Sequence, residues 1–196
     1  MLRTTDTRTS FKLSRSNGML AKIRHYVNLK TLLSIYHAIF GSHLRYACQV
    51  WGHSRNQSLG RIVSLQNKAL TIVHYLPNRS SSNILYYLSN TLRLSDLLTF
   101  LNGLFVWDQR NSRLPTVFND YFSYRNACRY NLRSITNNNL IIPLKRTLTY
   151  GTNSITYQCI STWNNLPIDL RTDPDLQHSK QKFSEALFNI LLQKYL

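Results

Sequence analysis

The chain has 196 residues, of which 43% are apolar, and this is enough to bury either one core or one main core plus a smaller one. Its 24 Lys and Arg residues stand against 8 Asp and Glu residues, so the net charge is +16, which predicts a polyanionic partner such as nucleic acid or an anionic membrane surface. The three cysteines, Cys48, Cys128 and Cys159, are too widely spaced to indicate a disulfide framework or a zinc site.

The positive charge is concentrated in the first two thirds of the chain. Residues 1–76 carry 11 basic side chains and one acidic side chain, a net charge of +10. Residues 77–150 carry 9 basic and 3 acidic side chains, and residues 151–196 carry 4 of each. We therefore expect the first two thirds of the chain to form most of any surface that binds a polyanion.

The sequence contains neither a leader peptide pattern nor a membrane span. The first ten residues, MLRTTDTRTS, lack an apolar stretch, and the most apolar segment, between Lys30 and Arg45, is too short and too polar to cross a bilayer. These features predict a soluble intracellular protein that works without a membrane partner.

The predicted elements begin with a disordered lead-in over residues 1–12, which is rich in Thr, Ser and Arg and has no periodicity. A helix is predicted from Leu13 to Val27, with Arg15 and Lys22 on its flank. A second helix follows from Leu29 to Gly52, where apolar residues recur at i, i+3, i+4 and i+7 spacings. Gly41 in its middle predicts a bend or a close helix contact.

Further helices are predicted in the middle of the chain and at its C-terminal end. Helices are predicted over residues 58–75, 82–88 and 95–110, with Pro115 beyond the last one. A small extended or hairpin segment is predicted over residues 121–150, and two C-terminal helices over 155–164 and 180–195. The expected fold is mainly α: a bundle of about five helices, the extended segment and the two C-terminal helices. The expected domains are a helical domain over 13–115 and a C-terminal domain over 116–196.

Three phrases occur in fixed order along this pattern. They are SHLRYACQVWG (Ser42–Gly52), LQNKAL (Leu65–Leu70) and STWNNLP (Ser161–Pro167). The first is similar to H-P-H-L-x-Y-G-x-x-V-W-G, with Ser42 in place of Pro and Ala47 in place of Gly, and the second to L-Q-x-x-A-[IL]. In this order the phrases resemble the region that follows the catalytic palm in the reverse transcriptases of non-LTR retrotransposons, the LINE-like elements of the jockey, CR1 and RTE type.

Further segments extend the resemblance over residues 13–196. SRSNGMLAKIRHYV (14–27) resembles the opening helix of that region, and RYNLRS (129–134) resembles Y-N-T-R-[SNQ] with Leu132 in place of Thr. The stretch before STWNNLP is similar to the family pattern except that Cys159 replaces a small residue, and the terminal segment resembles the last helix of the family.

The resemblance implies a helical thumb that grips template and primer, followed by a C-terminal domain that also binds nucleic acid. The parent enzyme would be an RNA-directed DNA polymerase that uses Mg²⁺. Such catalysis needs adjacent carboxylates that hold two metal ions, and no two acidic residues of this chain are adjacent. The closest pair, Asp173 and Asp175, is more typical of a loop cap. We therefore expect a binding module for RNA, DNA or a hybrid, without catalysis or a cofactor of its own unless a partner supplies the palm.

The candidate contacts to nucleic acid are basic residues of the predicted helices and of the extended segment: Arg15, Lys22, Arg24, Lys30, Arg61, Lys68, Arg125, Arg129 and Arg133. Six tyrosines lie near Arg or Lys in sequence, a combination that can stack bases and neutralise phosphates: Tyr26, Tyr46, Tyr75, Tyr124, Tyr130 and Tyr150. The alternative is that most tyrosines belong to the core, where the three tryptophans are expected.

Two other interpretations remain open at this point. The chain could be a decayed transposon remnant whose charge is inherited, an interpretation favoured by the departures at Ser42, Ala47, Leu132 and Cys159. It could instead be an interaction scaffold that uses the amphipathic terminal helix.

Overall fold

The protein is mainly helical, as its computed structural model shows. The structure describes residues 2–46, 48–52, 57–77, 81–123, 139–144, 147 and 151–196. Two compact units are formed, one by residues 1–96 with 192–196 and the other by residues 97–191. The predicted domain boundary after residue 115 lies inside the second unit.

The helices agree closely with the predicted elements in most of the chain. In chain order they are α1 (Leu2–Ile23), α2 (Leu29–Ile35), a π-helical segment (Tyr36–Gly41), α3 (Ser42–Arg45), α4 (Cys48–Trp51), α5 (Gln57–Val73), α6 (Ser82–Leu88), α7 (Leu94–Arg110), a 3₁₀ turn (Thr116–Phe118), α8 (Ile155–Asn165), α9 (Ile168–Thr172), α10 (Pro174–His178) and α11 (Lys180–Gln193).

Helix α1 extends further towards the N-terminus than the sequence predicts. The prediction of a disordered lead-in is wrong over residues 2–12, because the backbone there is helical. Ser10 is buried together with Leu13, Ser16 and Leu20. Burial of one face stabilises a helix whose Thr and Ser residues favour it only weakly by themselves.

Helices α1 and α5 run in the same direction. The Asn17 side chain donates from Nδ2 to the carbonyl oxygen of Leu65 at 2.9 Å. Further along both helices, the Tyr75 hydroxyl donates to the carbonyl oxygen of Arg24. From the first contact to the second, the residue number rises on both sides, from 17 to 24 along α1 and from 65 to 75 along α5. The two helices are therefore parallel.

The predicted helix from Leu29 to Gly52 is interrupted, and the prediction of one continuous helix is wrong. A π-helical turn ends at Gly41, the position where an irregularity is expected, and packs Tyr36 on Phe40 with ring centroids 5.3 Å apart. The helix then ends at Tyr46, whose ψ of 113° is extended. The carbonyl oxygen of Tyr46 accepts a hydrogen bond of 3.0 Å from Nε1 of Trp51, which compensates for the interruption.

Helices α5, α6 and α7 end in the same backbone geometry, with a non-glycine residue at positive φ two positions after the helix. The three residues are Tyr75 (φ 56°), Asn90 (φ 48°) and Ser112 (φ 52°). After α5, the amide of Leu76 donates to the carbonyl oxygen of Thr71 at 3.1 Å, and that of Tyr75 donates to Ile72 at 3.4 Å. This is the Schellman motif, in which glycine is preferred because a side chain at positive φ costs about 1–2 kcal/mol.

The core of the second unit is built on aromatic rings. Phe183 of α11 lies between Trp107 and Trp163, with ring centroids 6.1 Å and 6.0 Å away. Nε1 of Trp107 donates to the carbonyl oxygen of Leu176 at 3.0 Å. The apolar stripe of the terminal helix is thus buried within this unit, and all three tryptophans of the chain are buried, as predicted.

Most of the predicted hairpin over residues 121–150 lies outside the described residues. Within the described part, the Asn164 side chain pairs with the backbone of Leu140 through two hydrogen bonds of 2.9 Å each. The short helices α9 and α10 are additions to the predicted pattern. Asp173 caps α10 by accepting from the amide of Asp175 at 2.9 Å, as expected for a loop cap.

Candidate nucleic-acid interface

Helix α1 presents basic side chains along its exposed face. We call the four residues the α1 stripe: Arg8, Lys12, Arg15 and Lys22. In an α-helix, positions with these spacings stay within about 40° of one line along the surface. All four side chains are exposed, and the buried Leu13 and Leu20 lie on the other side of the helix. The core therefore holds the helix by one face and leaves the basic face to solvent.

Helix α5 repeats this arrangement with two basic residues. Arg61 and Lys68 are seven positions apart, so they share a face, and both are exposed. Ile62 and Leu70 of the same helix are completely buried. The structure thus brings Arg15 and Lys22 onto one exposed face of α1, and Arg61 and Lys68 onto one exposed face of the parallel helix α5.

Arg24 and Lys30 lie after α1, in different environments. The Arg24 guanidinium carbon lies 5.1 Å from the centroid of the Tyr75 ring, and its Nε donates to Nε2 of His25 at 3.2 Å. Lys30 is exposed in the first turn of α2. Arg24 is therefore partly engaged by an aromatic ring, whereas Lys30 projects into solvent.

Three predicted site residues, Arg125, Arg129 and Arg133, lie outside the described residues, so their role stays a prediction. Sequence reasoning missed Arg8 and Lys12, because their segment was predicted to be disordered. The available signal was the spacing itself, since Arg8 and Lys12 continue the helical line of Arg15 towards the N-terminus.

The ion pairs between described side chains lie away from α1. Lys180 of α11 pairs with Asp108 of α7 at 2.6 Å, and Lys194, directly after α11, pairs with Asp96 of α7 at 3.4 Å. Neither ion pair neutralises a residue of the α1 stripe. Like charges along a helix repel each other and attract a polyanion.

Buried thiols and hydroxyls in the two cores favour their neutral forms. Burial raises the pKa of Cys159 to about 12 and that of Cys48 to about 11. Burial also raises the pKa of the Tyr36 hydroxyl above its ordinary value. A thiol with a raised pKa is a poor nucleophile at neutral pH, so these side chains serve packing.

No group of three His, Cys, Asp or Glu side chains is placed to hold a metal ion in the part of the chain that the structure describes. The arrangement on α1 and α5 can instead neutralise phosphates. Over the same described part, none of the helices has the length and apolar character needed to cross a membrane.

No protein-family model, no curated protein and no solved structure matches this chain.

Proposed function

We propose that the chain is the thumb and post-thumb piece of a non-LTR retrotransposon reverse transcriptase, and that it binds nucleic acid through α1 and α5 without catalysing polymerisation. The observation that carries the binding proposal is the α1 stripe, four exposed cations on one helical line opposite a buried face. The net charge of +10 in residues 1–76 supports it.

The length of the α1 stripe suits a nucleic-acid strand. Arg8 and Lys22 are 14 positions apart, which corresponds to about 21 Å along a helix. Phosphates of one strand of duplex DNA follow each other at about 3.4 Å along the axis, so the stripe spans about six of them. Long, flexible Lys and Arg side chains can reach phosphates on either side of the helix axis.

The lineage part of the proposal rests on the three ordered phrases. Several of their residues have structural roles, since Cys48, Trp51, Leu70 and Trp163 are buried. In the proposed parent enzyme, a palm with paired carboxylates would supply the metal-dependent chemistry. The role of this piece is to hold the template and primer against that palm.

The binding proposal is tested by titrating the full chain with labelled DNA duplex, RNA–DNA hybrid and single strand at several salt concentrations. Binding should depend little on sequence and should weaken steeply as salt rises. For duplex DNA, each neutralised phosphate contributes about −0.9 to the slope of log K against log salt, so four contacts give about −3.6. Affinity that stays constant between low and high salt would refute the proposal.

A further inference from the structure

Three aromatic and cationic side chains meet where α1 and α5 end. The Tyr75 ring lies beneath the Arg24 guanidinium, and its hydroxyl donates to the carbonyl oxygen of Arg24. The His25 ring meets the Tyr75 ring edge-on, with centroids 6.2 Å apart and planes at 72°. We call Arg24, His25 and Tyr75 the helix-end cluster. Its contacts fix the position of the tyrosine ring.

The cluster is held in place and is also open to solvent. Tyr75 remains 50% exposed although three contacts hold it, and the neighbouring Tyr26 is 87% exposed. A large aromatic side chain thus stays at the surface with restricted freedom. Such a ring loses little conformational entropy when a planar ligand stacks on it.

The backbone conformation at position 75 is one that a large aromatic residue seldom adopts. Tyr75 occupies the positive-φ position of a Schellman motif, where glycine is preferred. The matching positions after α6 and α7 carry the small polar residues Asn90 and Ser112. Tyr75 is the one of the three whose side chain is aromatic, and its placement brings that ring against Arg24.

The cluster lies at the same end of α1 as Lys22, the last residue of the α1 stripe. Arg24 follows Lys22 by two positions, which is about 200° around the helix, so the cluster lies on the side of α1 that meets α5 and not on the line of the stripe. A strand bound at Lys22 would therefore reach the cluster by turning around the end of α1. Proteins that bind single strands combine a basic track with aromatic rings on which bases stack, and Arg contributes cation–π attraction.

We infer that the helix-end cluster, with Tyr26, stacks an unpaired base of a nucleic acid that is bound at the end of α1 where Lys22 lies. The inference rests on the proposed function and specifies it further. The chain should bind single strands, and duplexes with a single-stranded overhang, more tightly than blunt duplexes of the same length.

The test uses oligonucleotides that carry 2-aminopurine, an adenine analogue whose fluorescence falls when it stacks. With the wild-type chain, the fluorescence of a single strand or an overhang should fall on binding, and that of a blunt duplex should not. Tyr75→Leu should lower single-strand affinity about 5-fold to 150-fold, the range found when one stacking ring is removed. Its affinity for blunt duplex should stay within about twofold of wild type, because the phosphate contacts are unchanged.

Two variants separate stacking from structural effects. Tyr75→Phe retains the ring and should bind single strands within about threefold of wild type. Tyr87→Leu changes another surface tyrosine, 40% exposed on α6, and should leave the single-strand preference intact. Circular dichroism shows whether each variant is folded.

The outcomes distinguish the two proposals. If wild type binds both nucleic acids and Tyr75→Leu keeps the same single-strand preference, the stacking inference is wrong and the binding proposal stands. If Tyr75→Leu fails to fold, the experiment with the wild-type chain alone tests the inference. If the fluorescence of 2-aminopurine in a single strand does not change when the wild-type chain binds it, the stacking inference is wrong. If wild type binds neither nucleic acid, both proposals are wrong.

Discussion

The Gln66 side chain donates from Nε2 to the carbonyl oxygen of Leu92 at 2.9 Å. Its Oε1 also accepts from the amide of Leu94 at 3.2 Å, at the first residue of α7. Gln66 is completely buried, so both backbone groups depend on it for a partner. The glutamine of the LQNKAL phrase thus joins α5 to the start of α7 within the first unit.

Replacing Gln66 by Leu should destabilise the protein by about 2–4 kcal/mol, because one buried carbonyl and one buried amide lose their partner. Ser64→Ala, on the exposed face of the same helix, is the matched control and should change stability by less than about 0.5 kcal/mol. Urea unfolding followed by circular dichroism measures both changes. Equal stabilities of the two variants would contradict the role assigned to Gln66.

Alanine substitutions at Gly60 and Gly103, two glycines within helices, should change the stability of the protein in opposite directions. A Cβ added at Gly103 of α7 would lie 2.8 Å from Cδ2 of Leu187 and 3.6 Å from Cδ1 of Leu166, both buried. At Gly60 of α5 a Cβ would meet no atom within 4 Å.

Gly60→Ala should therefore stabilise the protein by about 0.5–1 kcal/mol, the gain in helix propensity. In Gly103→Ala, overpacking against Leu187 costs about 1–3 kcal/mol, which exceeds the gain in helix propensity. We therefore expect this variant to be less stable than wild type. Thermal unfolding measures the two changes. An increase in Tm for Gly103→Ala would show that Leu187 moves aside without cost.

His74 should make stability depend on pH. Partial burial lowers the pKa of His74 below its ordinary value of 6.5, and its Nε2 lies 2.7 Å from the Ser89 hydroxyl. The unfolded chain therefore binds a proton at His74 before the folded chain does. The stabilising contribution is complete above about pH 6.5 and is lost as the pH falls below it.

The urea midpoint should accordingly be lower at about pH 5.5 than at about pH 7.5. In His74→Gln, which retains a nitrogen near Ser89, the difference between the two midpoints should shrink. If the difference persists in full, His74 is not its source.

Side-chain periodicity was enough to predict most of the helices. The regular apolar spacing of α5, α6 and α7 predicted their bounds closely, because burial of one face decides helix formation there. The interruption at Tyr46 could not be predicted, since the pattern continues through it and a hydrogen bond from Trp51 compensates for the break. The helix over residues 2–12 could not be predicted, because the local composition there favours disorder and the buried apolar residues that anchor α1, Leu13 and Leu20, come only after it.

The candidate site was predicted in part for the same reasons. Arg15 and Lys22 were expected on the flank of a helix and are exposed there. Arg8 and Lys12 were missed with the helix that carries them. The contact between Arg24 and Tyr75 depends on the parallel packing of α1 and α5, which joins residues 51 positions apart and leaves no periodic signal in the sequence.

The α1 stripe is tested most directly by the salt dependence of duplex binding in the double variant Arg15→Gln, Lys22→Gln. Lys182→Gln, an exposed lysine of α11, serves as the control for a change in net charge. The double variant should reduce the slope of log K against log salt by about 1.8, since two phosphate contacts are lost, and the control should retain the wild-type slope. A double variant with the wild-type slope and affinity would contradict the assignment of the α1 stripe as the nucleic-acid surface.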